Sequence, residues 1–314
     1  MSNAYTHTTG AAAGTVGGLG TIQKAYDRLL DFALRDEPLI RSVADKRPAS
    51  LGHNSNTIVM QLYADLTEQT TALTDATERD SVEVPAPTSV TITLAEYGNS
   101  VLTTKAFKLF SLTEVDPAIA SIIAFNMSAS IDTVAQAELR GGSNIIYGGT
   151  RTNTVTIAAT DTITSANVRK AVAKLRAGLA KPKKGGLYWC GIHPEVSHDL
   201  RAETGAGGWR LPHEYASNQQ IWNGEIGSYE GAYFVESARM YNATDGASSA
   251  KVYRTILCGK EAMAQAVAEE PHTVIGPELD HLRRFRPMGW YGVLGFKRYR
   301  EAAIYRILNG SSIA

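Results

Sequence analysis

The sequence predicts an α+β fold organised around an extended hairpin, and three observations carry that prediction. A Thr-rich insertion has two strand-like arms, Asn56 to Asp65 and Ser89 to Phe107. One long amphipathic stretch, from Asp116 to about Arg140, follows it directly. From Thr154 onward, short apolar runs of strand length alternate with helical patterns. A hairpin this long cannot bury both faces against its own body. The chain is therefore expected to lie on a neighbour and to assemble.

At 314 residues, with 44% hydrophobic and 20% charged side chains, the chain is one large globular domain or two. A core of this size needs no disulfide or metal as a staple. The 31 basic and 31 acidic residues cancel, which argues against a dedicated nucleic-acid binder and favours association with like chains. Cys190 and Cys258 each sit in an apolar strand-like run and read as buried free thiols. The first twenty residues lack a basic start and an apolar core, so no signal peptide is expected. No apolar run is expected to reach the roughly 20 residues of a membrane helix, and the protein reads as soluble and intracellular where it is made.

Residues 1–20 are rich in Ala, Gly and Thr and read as a mobile arm. Ile22, Tyr26, Leu29 and Ala33 then share one helical face, and Pro38 closes that helix. In the arms, Ile58, Met60 and Leu62 share one face, while Val90, Ile92 and Leu94 oppose Thr91 and Thr93. Residues 66–88 between them hold Glu68, Asp75, Glu78, Asp80 and Glu83 against a single Arg79. Such a tip is acidic and ill suited to a core, and a structureless loop of this length usually serves an interaction. The long helix has Asp116 as N-cap, Pro117 at its first turn and Gly141-Gly142 at its end. Its stripe of Ile119, Ile123, Met127, Ile131 and Val134 is core packing. About 24 residues at ~1.5 Å each make a rod of about 36 Å.

Beyond it, Val168, Val172, Leu175 and Leu179 mark a helix whose other face carries Arg169, Lys170, Lys174 and Arg176. Lys181 to Gly186 is a turn, a strand surrounds Cys190, and a short helix opens at Pro194. Residues 205–223 read as loop, Phe234-Val235 and Lys251 to Cys258 as strands, and Gly289 to Leu308 as an extended hairpin or strand.

The residues that invite an enzyme reading lack the needed spacing. Cys190, His193, Glu195 and His198 lie close in sequence, but two histidines five apart on a helix diverge by about 140°. A zinc-binding helical motif needs them four apart. A Cys190–His193 nucleophile pair would depend on tertiary geometry. The glycines at 14–20 follow no strand, and Gly259-Lys260 is followed by Glu261 rather than Ser or Thr, so neither is a nucleotide loop. No catalytic, cofactor-binding or metal-ligating residue is expected. The C-terminal cluster of Arg283, Arg284, Arg286, Lys297, Arg298 and Arg300 interleaves with Phe285, Trp290, Tyr291, Phe296 and Tyr299. It reads as a single-strand nucleic-acid platform, as a solvated strand face, or as the counter-charge for the acidic tip of a neighbouring copy. The last reading makes Glu68, Asp75, Glu78, Asp80, Glu83, Arg283, Arg284 and Arg286 candidate intersubunit contacts.

The order of parts resembles a tailed-bacteriophage major capsid protein, whose fold is shared with herpesviruses and encapsulins. Short stretches are similar to the capsid proteins of N4-like phages: Glu96-Tyr-Gly-Asn-Ser-Val101, Asp116-Pro117, Gly142-Ser-Asn-Ile-Ile-Tyr-Gly-Gly149, Val168-Arg-Lys-Ala-Val172, Ile192-His-Pro-Glu-Val196 with Asp199-Leu-Arg201, and Asn223-Gly-Glu-Ile-Gly227 with Tyr233-Phe-Val-Glu236. They span roughly residues 45–310 in one order. The resemblance implies an N-terminal arm at 1–46, an extended loop at 47–107, and a peripheral domain at 108–159 with its spine helix at 116–140. It further implies an axial domain mainly at 160–270 and a return to the peripheral domain at 271–314. The function it implies is a non-enzymatic shell of hexamers and pentamers around double-stranded DNA, in the virion, without cofactor or membrane. Implied partners are a separate scaffolding protein, a portal and a decoration protein. Relatives that weld their shells use a lysine on the extended loop. Residues 47–104 contain none, so the shell is expected to hold by buried area, β-augmentation and charge pairing. A compartment shell of the same fold and, from another class, a Cys-His hydrolase are the alternatives.

Overall fold

The computed structural model describes residues 38–48, 56–73, 75, 78, 80–110, 115–203 and 228–313. The helix expected at 22–33, the arm at 1–20, the loop at 205–223 and the side chain of Asp116 lie outside the described residues.

Two sheets and one long helix position everything else. The larger sheet runs in the order β5 (Ile145–Tyr147), β13 (Ile304–Asn309), β10 (Val252–Cys258), β6 (Tyr188–Ile192), β8 (Ala232–Glu236), β7 (Ser228–Tyr229). A short β9 (Asn242–Ala243) also pairs with β10. β10 is antiparallel to both β13 and β6, whereas β6–β8 and β13–β5 are parallel. Both faces of this sheet are buried, so its central strands read as unbroken apolar runs. Cys190, Tyr253 and Leu257 face α3 (Ser165–Ala177) and α4 (Pro194–Ala202), packing with Val168, Val172, Leu175, Val196 and Leu200. Trp189, Ile256 and Cys258 face the opposite way, toward the long helix. The two thiols therefore lie on opposite faces of one sheet, which keeps both free.

The second sheet has the order β1 (Asp45–Pro48), β11 (Met263–Ile275), β12 (Phe285–Arg298), β4 (Ala95–Thr104). Its inner face supplies Met263, Trp290, Leu294 and Phe296, which meet Ile123, Ile131, Ala135 and Leu139 of α2 (Val115–Leu139). Trp290 Nε1 donates to Asn126 Oδ1 on that helix at 2.9 Å. The helix ends where Gly142 turns with φ +95 and where buried Arg306 donates to the carbonyls of Arg140 and Gly142. These are orphan acceptors at the negative end of the helix.

A separate two-stranded hairpin, β2 (Thr57–Leu62) and β3 (Thr88–Thr93), sits on the outer face of the second sheet. Ile92 is fully buried against Ala264 and Ala266. A Cβ on Gly295 would collide with the Thr93 carbonyl oxygen, so only glycine lets the hairpin seat there.

Three expectations need correction. The second arm is not one strand: it breaks at Leu94 into β3 and β4, which join different sheets, and residues 105–110 turn into α1 (Lys105–Phe110). Gly289 to Leu308 is not a hairpin, because β12 and β13 belong to different sheets and a 3-10 turn at Glu301–Ala303 separates them. Alternation is the same whichever sheet a strand joins, so the pattern could not show either break. Finally, Pro117–Leu139 is long and apolar enough by composition to span a membrane. Its alanines and isoleucines raise the average although Asn126, Asp132 and Gln136 interrupt every run.

Candidate assembly surfaces

The arm beyond the hairpin has no strand among its described residues from 63 to 87. Tyr63, Leu66, Leu73, Val82 and Val84 are all more than half exposed there. Glu68, Asp75, Glu78, Asp80 and Glu83 are exposed too, and none forms an ion pair among the described residues. A segment presenting both apolar groups and carboxylates to water has the surface of an interface rather than of a finished exterior.

The predicted basic cluster divides into two groups at opposite ends of β12. Lys297 pairs with Glu138 at 3.5 Å, Arg298 with Glu301 at 3.2 Å and Arg300 with Glu261 at 3.3 Å. Trp290 and Phe296 are buried, so no row of stacked aromatics forms and the single-strand platform is lost. Arg283, Arg284 and Arg286 stay together where β11 connects to β12. Arg284 Nε binds Asp280 Oδ2 at 2.6 Å, and this hydrogen bond holds the Asp280 carboxyl below its ordinary range. Arg283 and Arg286 are exposed without an acidic partner among the described residues. Around them Leu102, Phe107, Leu109, Leu279 and Leu282 are each at least half exposed. α1 begins here, its Lys105 N–H donating to the Arg284 carbonyl at 2.9 Å.

The two surfaces start from opposite ends of β12. The hairpin is rooted over Gly295, ten positions along β12 from Phe285. At ~3.3 Å per residue that is about 33 Å. The root also lies beside Gly178 to Lys181, so the arm leaves the body at the far end of the strand from Arg283 and Arg286.

A third feature had only a faint signal in the sequence, an aspartate within the apolar stripe of the long helix. Asp132 is 2% exposed and accepts the backbone N–H groups of Ile40 at 2.6 Å and Arg41 at 3.2 Å, with Arg239 Nε at 3.8 Å. Burial pushes its carboxyl up, against the lowering effect of those partners. Glu270 holds the same segment, taking Arg41 at 2.7 Å and Lys46 at 3.5 Å, and the Arg41 hydrogen bond lowers its carboxyl. Residues 38–48 are thus strapped across helix and sheet.

The catalytic alternative finds no support in the geometry. Burial pushes the Cys190 thiol well above its ordinary value, and the Cys258 thiol to about 12, so neither is a ready thiolate. His193 caps α4, its Nδ1 accepting the Glu195 N–H at 3.3 Å, and its ring lies 5.0 Å from that of Tyr253. Among the described residues no three metal-ligating side chains converge.

Comparison with known proteins completes the description. A family described as "Phage capsid protein" matches residues 51–308. The capsid of Ralstonia phage GP4 superposes with a TM-score of 0.74 at 16% identity, covering 97% of this chain and 98% of that one. The capsid of cyanophage P-SCSP1u gives 0.72 at 13% identity, covering 96% and 98%. The acid-stable capsid of Helicobacter pylori bacteriophage KHP30 gives 0.72 at 14%, covering 96% and 99%. No curated protein sequence matches this chain.

Proposed function

This chain belongs to the phage capsid protein family, as a structural shell-forming protein rather than an enzyme, and we propose how it builds its shell. Copies join into hexamers and pentamers that close an icosahedral head around double-stranded DNA. Residues 1–46 act as an N-terminal arm, 47–107 as the extended loop, 108–159 and 271–314 as the peripheral domain, and 160–270 mainly as the axial domain. A scaffolding protein, a portal and a decoration protein complete the particle, which is assembled in the host cytoplasm.

The contact that carries this reading joins two surfaces left open among the described residues. The acidic, partly apolar arm of one copy lies on the basic, partly apolar end of the second sheet of the next. Glu68, Asp75, Glu78, Asp80 and Glu83 face Arg283 and Arg286, while Arg284 keeps the connection folded through Asp280. The leucines around the arginines supply the apolar centre such an interface needs. Because one patch meets a different patch, the contact is head-to-tail, and a rotation that closes after five or six copies makes it a ring.

Sedimentation with negative-stain imaging tests this. The wild-type chain, alone or with a scaffold, is expected to give rings or closed shells, and Arg283→Glu/Arg286→Glu a folded protein that stays unassembled. Shells from that variant at both low and high salt would sink the contact. A wild type that never leaves the monomer would sink the shell reading itself.

A further inference from the structure

The long helix α2 is covered on one of its faces for only half its length. Asp132 stands at the midpoint of that face. Toward the C-terminal end the face continues through Ala135, Gln136 and Leu139, and all three are buried. Toward the other end it continues through Ser128, Phe125, Ser121 and Ala118, at alternating steps of four and three. From Ala118 to Ala129 none of this face is buried, and Ile122 beside it is 47% exposed. The opposite face, with Ile119, Ile123 and Met127, is the one turned into the core beneath the second sheet. Only 22% of the most apolar stretch of the helix is buried. An apolar helix face left this open calls for a cover.

The face opens at the point where another part of the chain arrives. Ile40 and Arg41 sit on Asp132 through their backbone N–H groups, and Pro38 is the first described residue. The 37 residues before it include the segment predicted as a helix. There Ile22, Tyr26, Leu29 and Ala33 share a face opposite Lys24, Asp27, Asp31 and Arg35. Ile22 to Ala33 and Ala118 to Ala129 are the same number of residues, about 17 Å of helix each. We propose that residues 22–36 dock as a helix on this open face of α2 in the same chain, running parallel to it. Ile40 meets Asp132 at an offset of 92 residues. The same offset sets Ala33 near Phe125, Leu29 near Ser121 and Tyr26 near Ala118. At each place a large side chain meets a small one, as interdigitating helices require. The short tether through Pro38 gives the segment a high local concentration, which a second copy must exceed to take its place. The arm at 1–20 then leaves from the Val115 end of α2, with only residues 111–114 between that end and α1, instead of from Asp132. The docking lies within one chain and does not depend on the shell.

Cross-linking in the unassembled full chain tests this. With Leu29→Cys/Ser121→Cys, a short bifunctional thiol reagent is expected to give a product of monomer size, while buried Cys190 and Cys258 stay unreacted. Asp27→Cys/Ser121→Cys moves the reactive position to the polar face of the segment and is expected to give none. In a second measurement, Tyr26→Asp/Leu29→Asp is expected to speed amide exchange from Ala118 to Ala129 by about tenfold and to leave Ala135 to Leu139 unchanged. Cross-linking by neither pair, or equally by both, would overturn the proposal. A product of dimer size would overturn it too, because a second copy would then cover the face. So would exchange from Ala118 to Ala129 that ignores the double substitution.

Discussion

The two sheets of this molecule are finished to different degrees. The larger one is covered on both faces, by α3 and α4 on one side and by α2 and its neighbours on the other. Its central strand β10 has six of seven residues buried. The four-stranded sheet is covered by α2 on its inner face, and among the described residues its outer face carries its own hairpin over Ala264, Ala266 and Gly295. Farther out, Gly98, Ser100, Val274, Gly289 and Tyr291 line an open depression. A sheet buried on both faces folds by its own chain's resources. One whose outer face, basic apolar end and arm stay open among the described residues is, under the proposed assembly, completed by another copy.

The largest effect is expected at the centre of the finished sheet. Leu257→Ala removes a fully buried side chain from β10 and should cost about 2–5 kcal/mol, measured by denaturant unfolding of the unassembled chain. If it costs no more than a surface substitution, the larger sheet is not the stability core. Asp132→Ala comes next. It strands the Ile40 and Arg41 N–H groups and should cost about 1–3 kcal/mol, with accelerated amide exchange confined to residues 38–48. Exchange spread evenly over the chain would show that the strap is not a separate unit.

The pH dependence of Asp132 sharpens the same point. Its folded-state carboxyl is raised, so its contribution is most favourable below the ordinary value of 3.8 and is lost as pH rises through the folded value. Asp132→Asn should therefore gain on the wild type as pH climbs through that window, and a parallel pair of stability curves would refute it. Asp199 runs the other way. Burial raises it, but hydrogen bonds from Ser312, His198 and Ser311 outweigh burial and leave it lowered. Its hold on the C-terminal residues should be present above 3.8 and fade as pH falls through the lowered value, read by exchange of the Ser312 amide.

Gly295→Val tests the boundary between finished and unfinished surface. Its side chain would meet the Thr93 oxygen and Ile92 Cγ2, so a loss of about 1–3 kcal/mol is expected together with failed assembly and retained secondary structure by circular dichroism. Normal shells from this variant would mean that the hairpin seat does not aim the arm. The smallest effect is a null one: Cys190 and Cys258 should stay unmodified by a thiol reagent until the protein unfolds.

Much of this was legible in the residues themselves. Helical periodicity placed α2 and α3, Pro194 marked the start of α4, and continuous apolar runs placed the strands around Cys190 and Cys258, because all of these are local properties of the chain. Composition exposed the acidic arm, and the basic residues of α3 and of 283–286 could be read off directly. The structure alone revealed that β3 and β4 part at Leu94 and that β12 and β13 never meet. It divided the C-terminal basic residues between opposite ends of one strand, engaged Arg284 with Asp280, and buried Asp132 against the backbone of residues 40–41. The sequence by itself determined which segments are helix or strand and which carry charge, since those follow from neighbours along the chain. Which strand pairs with which, and which charges stay unanswered, was decided only in the tertiary structure, because partners more than a hundred residues apart meet through the packing of the whole molecule.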